Sequence, residues 1–289
     1  MTEPELQYRN VLQTILQTGE WQTTRQGPAT KVALGLTMRF DLSECFPMIT
    51  ERDISGFWRG AIGELCAMIN GARTLEQFAE FGCTWWGPWA TENKCAKRGL
   101  TTGDIGPASY GDVFANYPGP DGSPFQQWLA LVDQIKREPS LKTHVITNWL
   151  AGHLTRAYGH QPTPTIAPCH GHVQVTILAG RLNLEMVQRS GDVPVGVPSN
   201  MVQYGAIALA LAHLTGYKPG WFVHHVANAH IYEDQLDSVD EMLSRVPRQL
   251  PTVSTNFQGV SLITDVRSSH FAVANYNPHP AIRSIPVAV

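Results

Sequence analysis

The 289-residue sequence predicts a mixed α/β fold. Three observations carry that expectation. Val173, Val175 and Ile177 alternate with Gln174 and Thr176, and after Ala179-Gly180 the alternation resumes with Leu182, Leu184 and Met186, the period of a half-buried β-hairpin. Residues 201–215 are apolar nearly all round, including the run Ala206-Ile207-Ala208-Leu209-Ala210-Leu211-Ala212, which is the pattern of a central helix. A hydrophobic content of 43% against 16% charged residues supplies a core and excludes a disordered chain.

Taken in order, residues 5–18 read as an amphipathic helix, with Val11, Leu12, Ile15 and Leu16 on one stripe and Gly19 at its end. A turn-rich loop follows, in which Arg25 is either solvated or free to clamp an anion. Residues 32–40 alternate as a strand, and Asp41-Leu42-Ser43 opens a turn. Residues 55–72 form a helix with Phe57, Ile62, Leu65, Cys66 and Ile69 on its buried face. Glu64 falls inside that pattern, so it either faces solvent or is a buried carboxylate with a shifted pKa. A helix over residues 75–81 leads into Thr84-Trp85-Trp86-Gly87-Pro88-Trp89, a packed plug or an aromatic wall for a flat ligand. Residues 91–106 read as a long loop, 125–137 as an amphipathic helix, 143–147 as a short strand and 150–166 as loop.

Beyond the hairpin, Gly196-Val197-Pro198-Ser199-Asn200 approaches the central helix, which Gly216 caps. Asn200 is either the N-cap or an amide that reads a heterocycle with one donor and one acceptor. Residues 221–226 are a strand and 232–243 a helix. The neighbours His224 and His225 point to opposite faces of that strand and no carboxylate completes a ligand set, so no metal is expected. The apolar tail, ending Pro286-Val287-Ala288-Val289, has the character of a segment that docks.

The net charge of −3, with scattered lysines and arginines, gives no face for DNA. No apolar run approaches the roughly 18 residues of a membrane span, and the acidic start Met1-Thr2-Glu3-Pro4-Glu5 is unlike a signal peptide. Five widely spaced cysteines without a CxxC pair suit free thiols and a cytoplasmic location.

The chemistry concentrates at Ala167-Pro168-Cys169-His170 and, at the far end of the hairpin, Gln188-Arg189-Ser190-Gly191-Asp192. A thiol attacks as thiolate, which a neighbouring cation favours, and Arg189 is a candidate for that cation. Read alone, Cys169 is a small buried hydrophobe, as free cysteines usually are. A thiol hydrolase would need a base across space from the sulfur, and adjacent His170 is poorly placed to be one.

These segments, with Gly196-Val197-Pro198-Ser199-Asn200, His230-Ile231-Tyr232 and Tyr276-Asn277-Pro278-His279-Pro280, resemble the thymidylate synthase family, which includes the phage pyrimidine hydroxymethylases. The N-terminal half is similar more loosely, through Arg25, Glu64, Trp86, Trp89 and Tyr110. The resemblance implies a large twisted sheet with helices packed on one face, one catalytic domain over residues 1–289, and a homodimer formed through the sheet. Three features depart from the family pattern: Lys142-Thr143 in place of two arginines, Asn228 in place of an aspartate, and a longer Pro107-Ala108-Ser109-Tyr110 segment.

The resemblance also implies a reaction. The Cys169 thiolate adds to C6 of a pyrimidine deoxynucleotide monophosphate, and C5 then attacks the one-carbon unit of 5,10-methylenetetrahydrofolate, the co-substrate. Arg189 would pair with phosphate and thiolate. Arg25 and Ser190 would hold phosphate, joined by Lys142 across the dimer interface. His230 and Tyr232 would bind the sugar 3′-hydroxyl. Glu64 would handle proton transfers through water, with Tyr110 and His170 completing the catalytic set. Asp192 would serve both ligands, Trp86 and Trp89 would contact the folate, and Val289 would close over it. Asn200 suits O4 and N3–H of uracil, where cytosine-specific members carry aspartate, so the implied substrate is deoxyuridylate (dUMP). Hydride from the folate then gives thymidylate, whereas capture by water gives 5-hydroxymethyl-deoxyuridylate. Thymidylate synthesis is the leading expectation. A 5-hydroxymethylase and a non-catalytic nucleotide-binding relative are the alternatives.

Overall fold

A computed structural model describes residues 3–25 and 27–288. The strands are β1 (Glu20–Gln22), β2 (Thr30–Asp41), β3 (Tyr117–Pro118), β4 (Pro124–Phe125), β5 (Val145–Ile146), β6 (His172–Leu178), β7 (Arg181–Gln188), β8 (Gly191–Asp192), β9 (Lys218–Tyr232), β10 (Thr252–Thr255) and β11 (Phe271–Ala274). The helices are α1 (Gln7–Thr18), α2 (Trp58–Ile69), α3 (Leu75–Glu80), α4 (Glu92–Ala96), α5 (Tyr110–Ala115), α6 (Gln127–Arg137), α7 (Ala151–Leu154), α8 (Gly196–Thr215) and α9 (Leu236–Ser244). The fold is mixed α and β around a seven-stranded sheet of order β1-β2-β9-β7-β6-β5, with β8 also paired to β9.

The period-2 pattern of the hairpin sorts its side chains cleanly. Val173, Val175, Leu182, Leu184 and Met186 are buried, while Leu178, Glu185 and Val187 face outward. Ala179 and Gly180 both adopt positive φ, which matches a two-residue turn to the right-handed twist of its strands. The apolar helix α8 packs against the buried side of β7 and β9, with α2 behind it. Sixteen of its residues are buried. A helix without a polar face has to be covered on every side, and here the sheet and α2 cover it.

Several expected elements differ in extent. The helix expected over 55–72 is Trp58–Ile69, and from Ala61 to Ile69 every residue is buried, not one stripe alone. The central helix begins at Gly196, with Pro198 accommodated in its first turn, where the missing N–H has no partner to lose. Asn200 is therefore inside the helix and is not its N-cap, which is Val195. The strand expected over 221–226 runs unbroken through His230-Ile231-Tyr232, because β2 and β8 pair with that extension. The loops expected over 91–106 and 150–166 contain the short helices α4 and α7, and the strand expected over 143–147 keeps only two residues. Among the described residues no helix is long and apolar enough to cross a membrane.

Close backbone approach fixes α2 beside the tryptophan segment. A Cβ added at Gly63 would lie 2.0 Å from the carbonyl oxygen of Phe81. Gly63→Ala is expected to destabilise the fold by about 1–3 kcal/mol or more, since backbone cannot yield as a side-chain tip can. The midpoint of urea unfolding, read at unchanged slope, checks this.

Candidate active site

Two strands on the same line of the sheet build one wall. β7 pairs in parallel with β9 up to Gln188–Val226, and β8 resumes at Gly191–Ala229 with the same offset between partners. Between these two stretches Arg189 and Ser190 leave the ladder without shifting its register. Cys169 lies just before β6, on the strand that neighbours β7. Gly171, at φ +112°, lets the chain turn from it into β6, where a Cβ would meet Nδ2 of Asn148 at 2.5 Å.

Arg189 is wrapped around the cysteine turn. Its backbone N–H donates to the Cys169 carbonyl at 2.8 Å, its Nε to the Pro168 carbonyl at 2.7 Å and its Nη2 to the Ala167 carbonyl at 3.0 Å. That clamp leaves Nη2 3.5 Å from Sγ of Cys169. The guanidinium also lies over the ring of Trp149, 5.3 Å from its centroid. Cys169 itself is half-buried, and its backbone N–H donates to the Tyr110 hydroxyl at 2.6 Å. Burial first, and the neighbouring Cys169 sulfur next, raise the Tyr110 phenol well above its usual range.

His170 turns away from the sulfur. Its Nδ1 bonds the Tyr204 hydroxyl at 2.9 Å, and its ring packs on Tyr110 with centroids 4.7 Å apart. Burial, with Arg189 nearby, pushes it down to about 3, so it stays neutral.

Cys169 opens on a cavity of about 650 Å³, a size suited to small-molecule ligands. Across it stand Glu64 from α2 and Asn200 from α8. Glu64 does not face solvent: it is 5% exposed. Burial pushes its carboxyl up to about 7, against hydrogen bonds from Trp85 and Gln203 that act the other way. Asn200 donates through Nδ2 to Oε1 of Gln203 at 2.9 Å. His230 and Tyr232, on the last turn of alternation in β9, line the floor together with Ser190. Asn228 holds the His230 ring through Oδ1 at 2.9 Å from Nδ1, and burial lowers that histidine.

The opposite side is apolar. Trp86 is buried against Phe78, Trp89 and Tyr110, so the tryptophan segment is packed and at the same time forms a wall of the cavity with Trp85, Pro88 and Trp89. The tail completes it with Ile282, Ile285, Val287 and Ala288. Gln235 ties the tail to the floor, since its Nε2 donates to both carboxylate oxygens of Asp192 and, at 2.8 Å, to the Pro286 carbonyl. Burial pushes Asp192 up to about 7.

The structure thus gathers Cys169, Glu64, Tyr110, His170, Ser190, Asp192, Asn200, His230, Tyr232, Trp86 and Trp89 around one cavity, with Arg189 against the sulfur. Arg25 is exposed on the β1–β2 loop and Lys142 is exposed beside β5, and neither joins the cavity wall of its own chain. Val289 lies outside the described residues. Sequence reasoning missed Arg52, which also lines the cavity, and Gln203, which is buried behind it, and it quoted Gln188, another lining residue, without giving it a role. Arg52 is a buried guanidinium that donates to the Pro194 carbonyl at 2.9 Å. Gln188 accepts from the buried His224 at 2.8 Å, whereas His225 meets Glu185 on the outer face. A lone glutamine inside the apolar run of α8 was the available signal for Gln203.

A thiol held beside a guanidinium, faced by a buried carboxyl and a primary amide, has the parts for covalent addition to a heterocycle with proton transfer on the far side. A family model described as Thymidylate synthase matches residues 6–289.

Proposed function

This chain belongs to the thymidylate synthase family, and on that premise we propose that it converts dUMP and 5,10-methylenetetrahydrofolate to thymidylate and dihydrofolate. The family's general chemistry is one-carbon transfer to C5 of a pyrimidine nucleotide, with the folate as co-substrate. The observation that carries the reading is the 3.5 Å contact between Arg189 Nη2 and Cys169 Sγ at the wall of a cavity shared with Glu64 and Asn200.

Cys169 attacks C6 and Arg189 steadies the negative charge on sulfur. Asn200 reads the O4 and N3–H edge. C5 bonds to the methylene carbon, and Glu64 takes the C5 proton by way of water. The C5 electron pair then expels tetrahydrofolate and leaves an exocyclic methylene. Hydride from tetrahydrofolate, oxidised to dihydrofolate, makes it a methyl group as the C5–C6 double bond returns and sulfur leaves. A carboxyl pushed up to about 7 is matched to exchanging a proton at neutral pH. Ser190, with Arg25 from the β1–β2 loop, holds phosphate, and His230 and Tyr232 take the sugar hydroxyl. The folate ring lies between the tryptophan wall and the tail, with Asp192 and Trp89 beside it. This apolar side supports hydride transfer over hydration of the exocyclic methylene, because it keeps water away.

The second reading, a dUMP 5-hydroxymethylase, draws on one feature. The same Glu64 carboxyl that relays protons through water is able to deliver that water to the methylene. Mass spectrometry of the nucleotide formed from dUMP and methylenetetrahydrofolate separates the two. The expected product is thymidylate, with stoichiometric dihydrofolate seen by absorbance. Hydroxymethyl-dUMP without dihydrofolate establishes the second reading instead.

We also propose that residues 1–289 act as one catalytic unit within a cytoplasmic homodimer. The sheet face away from α8 exposes Leu178 and Val187, 67% and 38% accessible, a surface suited to a partner sheet. Lys142, beside the edge strand β5, would then reach the partner's phosphate site.

A further inference from the structure

Gln203 is fully buried one turn beyond Asn200 on α8, and the proposed reaction gives it no task. Its amide joins two groups that have one. Nε2 donates to Oε2 of Glu64, and Oε1 accepts from Nδ2 of Asn200 at 2.9 Å. Oε1 of Glu64 has its own donors, Nε1 of Trp85 at 2.8 Å and the Cys83 thiol at 3.9 Å. A carboxylate that accepts on both oxygens requires the NH2 end of a neighbouring amide. The chain therefore has one polarity. The Gln203 nitrogen meets Glu64, its oxygen meets the Asn200 nitrogen, and the Asn200 carbonyl is left without a protein partner among the described residues, on a side chain that lines the cavity.

Uracil and cytosine differ at the edge such an amide reads. Uracil presents an acceptor at O4 and a donor at N3–H. Cytosine presents a donor at its 4-amino group and an acceptor at N3. An asparagine amide pairs with either edge, but only by turning over between them. We propose that Gln203 is the specificity-determining residue that prevents this turn: it ties Asn200 to the ionised Glu64 in the orientation that reads uracil. Turning Asn200 alone sets its carbonyl against that of Gln203. Turning both sets the Gln203 carbonyl against the Glu64 carboxylate. Each leaves buried acceptors facing each other without a proton between them. The inference rests on dUMP being the substrate.

Equilibrium binding of dUMP and dCMP to the full chain tests it, on the alkaline side of the Glu64 titration. Wild type prefers dUMP. Gln203→Met keeps the length of the side chain and removes both hydrogen bonds, so the dUMP-to-dCMP affinity ratio is expected to fall about tenfold or more, through a gain in dCMP binding. Glu64→Gln leaves residue 203 in place but puts at residue 64 a group that accepts or donates. The ratio is expected to fall there as well, which a packing role for Gln203 does not produce. An unchanged ratio in Glu64→Gln overturns the proposal, whether or not Gln203→Met folds, and so does an unchanged ratio in a folded Gln203→Met. Both results leave the substrate reading standing. If wild type fails to bind dUMP, prefers dCMP, or forms no covalent adduct with 5-fluoro-dUMP, the substrate reading itself falls and this inference with it.

Discussion

Cys169→Ala is expected to abolish covalent capture of 5-fluoro-dUMP and to lower turnover by at least about 10⁴-fold, as removal of a nucleophile does when no other group can form the bond. The fold should survive. The links that hold this turn, from the Cys169 N–H to Tyr110 and from the Arg189 N–H to the Cys169 carbonyl, are made by the main chain and persist in alanine. Intact-mass spectrometry after incubation with the fluorinated nucleotide reads the adduct directly, and thermal unfolding reads the fold. An adduct that persists in Cys169→Ala removes Cys169 from the reaction. Turnover at the wild-type rate has the same meaning.

Glu64→Gln is expected to cost roughly 10²–10⁴ in kcat, the range for a lost acid–base group, while dUMP binding is retained. The same variant carries a stability signature. Burial raises the native carboxyl from 4.5 to about 7. Below about pH 4.5 both folded and unfolded chains hold the proton, and the neutral carboxyl contributes its full share. Between there and about pH 7 the unfolded chain ionises while the native chain does not, so stability falls as pH rises. Above the folded value both are ionised and the loss levels off. The linked change is roughly 3 kcal/mol. Asp192 is raised to about 7 by burial and titrates in the same window. The informative quantity is therefore the difference between wild type and Glu64→Gln in urea unfolding from pH 5 to pH 8. The variant should show the shallower decline. Equal slopes would place the Glu64 carboxyl near its ordinary value and remove the basis for its proton-transfer role.

How far this site was legible in the sequence depended on whether a residue's surroundings were local. The hairpin over residues 172–188 showed its register, turn and buried face in a period of two, because each strand's neighbours lie a few residues away. Glu64 showed only that it fell within an apolar helix. Its burial is decided by Trp85 and Gln203, which lie 21 and 139 residues away in the chain. Asn200 was misplaced as a possible N-cap because Gly196 and Pro198 read as punctuation, whereas the fold uses them to start the helix one turn earlier. The continuity of β9 was hidden by its mixed composition and is imposed by pairing on both sides. The proposed chemistry itself rests on the resemblance of the segments around Cys169, Arg189 and Asn200 to the family, which local patterning alone does not supply.

The bridge from Gln235 to Asp192 and to the Pro286 carbonyl bears on how this protein is handled. Ile285, Val287 and Ala288 are themselves part of the cavity wall. A fusion at this end extends a segment that lines the cavity and is moored through Gln235 to a buried carboxyl. An affinity tag belongs at the other terminus, whose nearest described residues do not line the cavity.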